Sequence, residues 1–170
     1  MVDPSLFDFP TIFGRIQSTN GLKRNQTRPL RSEIIERTLA KYSGGQFKYI
    51  GDKSNGVDFL DNENLRYELK CMDGLFQKSV PYTKQITLKN FYGTASELDQ
   101  TFDFLILIDT IKNTIGVCDW ECATRDMVLN DATITTKVQH DDVTFFASNV
   151  VPHTFEDMSH TLERFIQESI

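Results

Sequence analysis

The first regular pattern of apolar positions in the chain is helical. Ile34, Ile35 and Leu39 lie on one side of residues 33–42, Ser32 precedes this run and two glycines follow it. A serine at the start of a helix accepts hydrogen bonds from the first turn, and glycine readily ends a helix. The pattern therefore predicts a short amphipathic helix over residues 33–42 with Ser32 as its N-cap.

Beyond this helix, apolar and polar residues alternate with the period of two that is typical of strands. The alternation covers residues 46–50, 57–60 and 65–72, and the last two runs are separated by the polar segment 61–64. Two alternating runs joined by a short polar segment predict a β-hairpin.

Residues 102–108 form the most apolar and branched stretch in the chain, which predicts a central strand buried on both faces. The remaining pattern predicts strands at 114–120, 133–138 and 143–147, a short helix at 123–129 and an amphipathic helix at 154–170, whereas the weak pattern of residues 73–100 predicts loops with a short strand or helix. The fold class is therefore α/β or α+β, with a central mixed sheet and helices at both chain ends.

The composition is that of an ordinary globular protein. The chain has 170 residues, of which 39% are hydrophobic and 25% are charged, and its net charge is -6. We expect one core and a single domain over residues 1–170, with no overall field that would attract nucleic acid or a membrane. Without a bilayer-spanning apolar run or the pattern of a signal peptide, the expected location is cytoplasmic, with no membrane partner and with reduced cysteines.

Positive charge is concentrated near the N-terminus. Residues 14–31 contain no acidic residue, and their basic residues are Arg15, Lys23, Arg24, Arg28 and Arg31. Turn-forming residues in the same segment predict a polar loop or arm rather than a long helix. Two interpretations stay open, a solvated surface loop and an arm that contacts phosphate groups.

Charged residues interrupt the apolar strands of the predicted hairpin at three positions. Asp58 stands in the first strand, and Glu68 and Lys70 stand two residues apart in the second. Because side chains alternate along a strand, Glu68 and Lys70 point to the same face, and pairing of the strands can bring Asp58 against that face. The sequence thus predicts two carboxylates and one ammonium group that converge at the end of a sheet.

Such a cluster suits a hard divalent cation. Mg²⁺ prefers oxygen ligands and usually retains several waters and a phosphate. The predicted ligands are Asp58, Glu68 and the main-chain carbonyl of Leu69. Lys70 can orient a bound water, or help to remove its proton, beside a phosphate. The predicted chemistry is hydrolysis of a phosphodiester bond, with Asp58, Glu68 and Lys70 as catalytic residues.

An aspartate followed after nine residues by Glu68-Leu69-Lys70 resembles the motif of the PD-(D/E)xK nuclease superfamily, although Val57 stands where the name of the motif has proline. The second motif strand is most similar to that of small, blunt-cutting type II restriction endonucleases. The resemblance covers residues 32–122 in the order of elements, and in residue identity it covers the hairpin alone. It implies a restriction-endonuclease-like central mixed sheet flanked by helices, with a catalytic core at 32–122 and C-terminal strands and a helix at 123–170.

The resemblance also implies a function, which is site-specific cleavage of double-stranded DNA with Mg²⁺, for which Mn²⁺ can substitute. One active site per chain implies a homodimer that matches a palindromic site, and a DNA methyltransferase can accompany such an enzyme. Family members often add an acidic residue from the preceding helix. Glu36 and Glu33 are the candidates for this accessory acid, and the alternative for each is a solvated helix face.

DNA contacts are expected from the basic segment and from the middle of the chain. The residues predicted to contact DNA are Arg15, Lys23, Arg24, Arg28, Arg31, Lys84, Gln85 and Lys89, of which Gln85 is a candidate for reading bases.

Two other classes of function stay open. The first keeps the chemistry and changes the substrate, as in a structure-selective junction resolvase or the nicking subunit of a heterodimer. The second is a non-catalytic α+β binding protein, in which Asp58, Glu68 and Lys70 form a structural network. Binding of divalent metal distinguishes the second class, because an ion pair satisfied by Lys70 does not need Mg²⁺.

Overall fold

The computed structural model describes residues 4–23, 28–43, 45–50, 57–76, 85–88, 91–94, 97–125, 127–129, 135–140, 143–146 and 150–155. A 3-10 turn at Pro4–Phe7 precedes the helices α1 (Phe9–Asn20), α2 (Arg28–Lys41) and α3 (Trp120–Thr124). The strands are β1 (Lys48–Tyr49), β2 (Phe59–Leu60), β3 (Arg66–Met72), β4 (Gln85–Leu88), β5 (Phe91–Gly93), β6 (Phe104–Asp109), β7 (Thr114–Asp119), β8 (Val128–Leu129), β9 (Val138–His140), β10 (Val143–Phe146) and β11 (His153–Thr154).

Helix α1 replaces much of the predicted basic loop. Asp8 caps its N-terminus by accepting hydrogen bonds from the main-chain N–H and the hydroxyl of Thr11, and Gly21 ends it with a left-handed φ of 63°. The buried rings of Phe9 and Phe13 anchor the helix in the core. The prediction of a loop or arm is therefore wrong for residues 14–20, because packing of aromatic residues outweighs the weak helical pattern.

Helix α2 begins at Arg28 and ends at Lys41, so the predicted helix is confirmed but its start is wrong. Pro29 lies in its first turn. The main-chain N–H groups there have no partner within the helix, so proline loses no hydrogen bond. Ser32 is consequently inside the helix and does not cap it. Its hydroxyl lies 3.3 Å from the Sγ atom of Cys71 on β3.

A six-stranded mixed sheet forms the centre of the molecule, in the order β1-β2-β3-β6-β7-β11. Strands β3 and β6 are parallel, and the other neighbours in this sheet are antiparallel. The predicted mixed sheet and the predicted hairpin are both confirmed, with Phe59 opposite Tyr67 and Leu60 opposite Arg66 in β2 and β3. Every residue of β6 is buried, as expected for a central two-sided strand. Two smaller sheets have the orders β4-β10-β8 and β5-β9.

Alternate residues of the central sheet supply two hydrophobic cores. Tyr67, Phe104 and Ile106 face the core that contains Ile35 and Leu39 of α2 and the aromatic residues of α1. The second core lies on the other face and includes Leu105 and Leu107 of β6, together with Phe91, Phe102 and Ala123. The fully buried β6 thus separates two layers of packing.

Toward the C-terminus the hydrophobic pattern predicts the elements less accurately. The predicted helix at 123–129 is replaced by α3, which Asp119 caps through the N–H of Cys122, and by β8. Thr154 lies in β11, so a helix does not begin there, and residues 156–170 lie outside the described part of the chain. None of the helices described is both long enough and apolar enough to cross a bilayer.

Candidate active site

Asp58 and Glu68 are brought together where β2 meets β3. The pairing of the two strands ends at Phe59 opposite Tyr67, so Asp58 directly precedes this last pair in β2 and Glu68 directly follows it in β3. The N–H of Asp58 donates to the carbonyl oxygen of Tyr67 at 2.8 Å, which holds Asp58 against β3. The negative charge of Asp58 acts on the carboxylate of Glu68. The two carboxylates therefore lie close together beside β3.

Asp58 also binds the main chain of β3. Its Oδ2 atom accepts a hydrogen bond of 2.7 Å from the N–H of Leu69. In a β-strand the N–H and carbonyl groups of one residue point toward the same neighbouring strand. The carbonyl of Leu69 therefore lies along the edge of β3 that faces Asp58. The three predicted oxygen ligands, from Asp58, Glu68 and Leu69, therefore lie close together.

Lys70 lies two residues after Glu68 and projects from the same face of β3. In the parallel pairing with β6, Glu68 stands beside Leu105 and Lys70 beside Leu107. Both charged side chains are half-buried. We call this face of β1, β2 and β3, which carries Asp58, Glu68 and Lys70, the site face.

The electrostatic environment of Glu68 is strongly perturbed. Its pKa is raised to about 8, first because burial removes water from the carboxylate and then because the negative charge of Asp58 repels it. Glu36 raises this pKa further, and the positive charge of Lys70 partly opposes the shift. The effect of Glu36 on Glu68 places Glu36 in the same electrostatic cluster as the three predicted catalytic residues.

The two candidates for an accessory acid have different surroundings. Glu36 is only 8% exposed, so the alternative of a solvated helix face is wrong for this residue. Glu33, one turn earlier, is exposed and forms an ion pair of 3.0 Å with Arg37 on the same helix. Glu33 therefore has the ordinary surroundings of a solvated helix face, whereas Glu36 lies in the interior beside β3.

The donor set fits a hard divalent cation. The negative charges of Asp58 and Glu36 both act against ionisation of Glu68, so an added divalent charge would relieve this repulsion. Within the described residues, no group of three or more His, Cys, Asp or Glu side chains is arranged to hold a metal ion. The predicted ligand set is of a different kind, since it consists of two carboxylates and one main-chain carbonyl.

The predicted DNA-contacting residues have different outcomes. Arg15 and Lys23 are exposed, at α1 and just beyond it. Arg31 is 6% exposed and forms an ion pair of 3.3 Å with Asp73, so its guanidinium faces Asp73 and not the solvent. Arg31 lies in the first turn of α2, on the side that faces the end of β3. The others lie outside the residues or side chains that the structure describes, namely Arg24, Arg28, Lys84, Gln85 and Lys89.

Asp109 is a structural residue near the site that the sequence pattern did not single out. It is fully buried at the end of β6, and its carboxylate accepts hydrogen bonds from the N–H groups of Gly74, Phe76, Ile111 and Lys112. These bonds fasten the chain that leaves β3 to the end of β6. The available signal was an aspartate that ends a continuous apolar run.

Fold and site together define a mixed α/β protein with a half-buried cluster of carboxylates and one lysine beside β3 of its central sheet. Comparison of the chain with family models, with curated proteins and with solved structures gives no match.

Proposed function

We propose that the protein is a Mg²⁺-dependent endonuclease of the PD-(D/E)xK type, which cuts double-stranded DNA at specific sequences as type II restriction enzymes do. One observation carries the proposal. The carboxylate of Asp58 accepts a hydrogen bond from the N–H of Leu69, the residue between Glu68 and Lys70, and the charges of Asp58 and Lys70 both act on Glu68. Two carboxylates with a neighbouring ammonium group are the components that metal-assisted hydrolysis of a phosphodiester requires.

The order of elements supports the same class. Helix α2 is followed by the hairpin of β2 and β3, and then by the buried strand β6 next to β3. This is the order of helix, hairpin and buried strand that the resemblance implies for a restriction-endonuclease-like fold. The buried Glu36 on α2 corresponds to the accessory acid that members of this superfamily often have.

The proposed roles follow from the position of each group. The carboxylates of Asp58 and Glu68 and the carbonyl of Leu69 would hold Mg²⁺, with Glu36 close enough to take part through its charge. When bound, Mg²⁺ supplies positive charge that polarises the phosphate and makes nearby water more acidic. Lys70 orients the attacking water and stabilises the negative charge that develops on the phosphate oxygens. The attacking water loses a proton to the solvent as its oxygen bonds to phosphorus. The bond from phosphorus to the sugar oxygen breaks, and that oxygen takes up a proton from the solvent.

The proposed partners are double-stranded DNA and a second copy of the chain, since two symmetry-related sites are needed to cut both strands of a palindrome. A DNA methyltransferase is the proposed companion in the same system. The net charge of -6 does not oppose this function, because affinity for DNA comes from local phosphate contacts and the carboxylates are neutralised by the cation.

The first test is a digest of unmethylated phage-length DNA and of a synthetic four-way junction, each with Mg²⁺ or with chelator. We expect discrete, metal-dependent fragments from the linear DNA. Lys70→Ala is expected to lower the cleavage rate by a factor of about 10² or more while retaining the rise in melting temperature that Mg²⁺ produces. Asp58→Asn keeps an oxygen that accepts from Leu69 but loses a charge, and should lose both cleavage and the thermal shift.

Each contrary outcome has a defined meaning. Cleavage of the junction alone would replace the restriction enzyme by a structure-selective nuclease, and single-strand nicks would favour the subunit of a heterodimer. If no metal supports cleavage and Mg²⁺ does not change the melting temperature, Asp58, Glu68 and Lys70 form a structural network in a binding protein.

A further inference from the structure

The site face extends beyond the catalytic cluster to the edge of the sheet. Strand β1 is the edge strand, and the register places Lys48 opposite Leu60, which stands opposite Arg66. These three residues form one row across the site face. We group Ile50, Asp58 and Glu68 as the next row, because the N–H of Ile50 donates to the carbonyl oxygen of Asp58 at 2.9 Å and the charge of Asp58 acts on Glu68.

Burial differs sharply between the two faces of these strands. Phe59, Tyr67 and Leu69 on the opposite face are buried in the first core. On the site face, by contrast, no side chain of the two rows is buried, and Lys48 is the most exposed of them. The described part of the site face is therefore partly accessible, and Lys48 projects from it into the solvent.

The charges in the row of Lys48 favour an anionic partner. Arg66 shares the row, but its guanidinium is committed to an ion pair of 3.2 Å with Asp103. Leu60 between them carries no charge, and the row contains no acidic side chain. Lys48 thus presents a positive charge beside the row that carries Asp58 and Glu68.

The distances match the length of a few nucleotides. Adjacent rows on one face are about 7 Å apart along the strands, and two strand spacings add about 10 Å across the sheet. A lysine side chain is long and flexible, and phosphates of one DNA strand repeat about every 3.4 Å along the helix axis. A strand whose cleaved bond lies at Asp58 and Glu68 therefore passes within reach of Lys48 after two or three nucleotides.

We propose that Lys48 contacts a phosphate of the DNA strand that lies across the site face, two or three nucleotides from the bond that is cut. The contact positions the strand and does not read its sequence. This inference rests on the proposed nuclease function and adds a substrate-binding residue that the sequence pattern did not indicate. The competing explanation is that Lys48 only protects the edge strand β1 from pairing with other chains.

The test measures DNA binding in the Lys70→Ala background with Mg²⁺, so that the duplex is held and not cut. Fluorescence anisotropy of a labelled duplex containing the target sequence from the digest gives the affinity at several salt concentrations. The variants are Lys48→Ala, Lys48→Arg and the control Lys112→Ala. Lys112 is an exposed lysine in the turn after β6, so its removal changes the net charge equally at a different place.

Lys48→Ala should weaken binding about fivefold and reduce the slope of log affinity against log salt by about 0.9, which corresponds to the loss of one phosphate contact. Lys48→Arg should restore both values, and Lys112→Ala should leave both unchanged. Melting temperatures would verify that each variant is folded.

Equal slopes and affinities for Lys48→Ala and its parent would overturn the role of Lys48 while leaving the nuclease function intact. Aggregation of Lys48→Ala with unchanged affinity would assign the residue to edge protection instead. If the unmodified protein neither binds nor cuts DNA, both the nuclease function and the role of Lys48 are wrong.

Discussion

The fold disfavours the ionised form of Glu68, whereas a bound cation would favour it. Its burial and the charges of Asp58 and Glu36 raise its pKa to about 8, so without a cation the neutral acid is the favoured form at neutral pH. A divalent cation favours the ionised form and offsets the repulsion. The residue therefore makes the cation-free protein less stable at alkaline pH, a cost that binding of a cation would reverse.

This environment predicts an unusual dependence of stability on pH. Between the ordinary pKa of 4.5 and the raised value of about 8, the folded protein binds more protons at Glu68 than the unfolded chain does. The contribution of Glu68 to the free energy of unfolding is therefore full below the lower value, falls as pH rises between the two, and changes no further above the upper one. Glu68→Gln cannot ionise, so in chelator at pH 8 it should exceed the native protein in stability by on the order of 2 kcal/mol.

Urea denaturation at pH 4.5 and at pH 8 would measure this difference. The two proteins should be nearly equal at the lower pH, where Glu68 is protonated. Glu33→Gln is the matched control, because Glu33 is exposed on α2 and should show no such gain. A difference between Glu68→Gln and the native protein that does not change with pH would show that Glu68 is not held in this environment.

At the scale of elements, α2 is the part of the fold that brings Glu36 to the sheet. Its first turn is fastened to the end of β3 by the ion pair of Arg31 with Asp73, and the hydroxyl of Thr110 also donates to Asp73. Ser32 contacts Cys71 one residue further along the helix. These contacts lie on the side of α2 that also carries Glu36, so they hold that residue beside Glu68.

Removal of the buried ion pair should loosen this attachment. Arg31→Met is expected to lower the free energy of unfolding by about 2–3 kcal/mol, because it leaves the largely buried Asp73 without its guanidinium partner. Arg37→Met is the control on the same helix, since the ion pair of Arg37 with Glu33 is exposed and should contribute less than about 1 kcal/mol. Urea denaturation near neutral pH compares the two. Equal losses would mean that the pair of Arg31 and Asp73 does not anchor α2.

At the scale of the whole molecule, the central sheet separates two cores, and the candidate site lies on the half of the sheet formed by β1, β2 and β3. The edge strand β1 and the short β2 stand outside the fully buried β6, so the cluster of Asp58, Glu68 and Lys70 lies between the interior and the surface. This position gives Glu68 its partial burial, while Lys48 on β1 is exposed.

Two chains should bind one duplex if the protein cuts both strands of a palindrome. Sedimentation of the Lys70→Ala variant with Mg²⁺ and a short duplex containing the target site should give the mass of two chains and one duplex. A duplex with half of the palindrome scrambled should bind more weakly. A complex of one chain with the intact site would instead favour a nicking or structure-selective nuclease.

Local pattern alone determined a large part of this protein. The alternation of side chains was sufficient to predict the hairpin, the shared face of Glu68 and Lys70, and the buried strand now seen as β6, because each depends on residues close together in the chain. The same alternation predicted that pairing of the strands can bring Asp58 near Glu68, and the hydrogen bond of Asp58 with the N–H of Leu69 holds it there.

Tertiary structure decided the features that depend on distant residues. Residues 14–20 are helical because the apolar side of α1 packs in the first core. Arg31 is buried in an ion pair with Asp73, which is 42 residues away in the chain. Glu36 is buried beside β3, and Lys48 stands in a row with Arg66 only because β2 pairs with both neighbours. Local periodicity gives the face on which a side chain lies, but burial, charge partners and pKa depend on packing between elements that only the folded chain brings together.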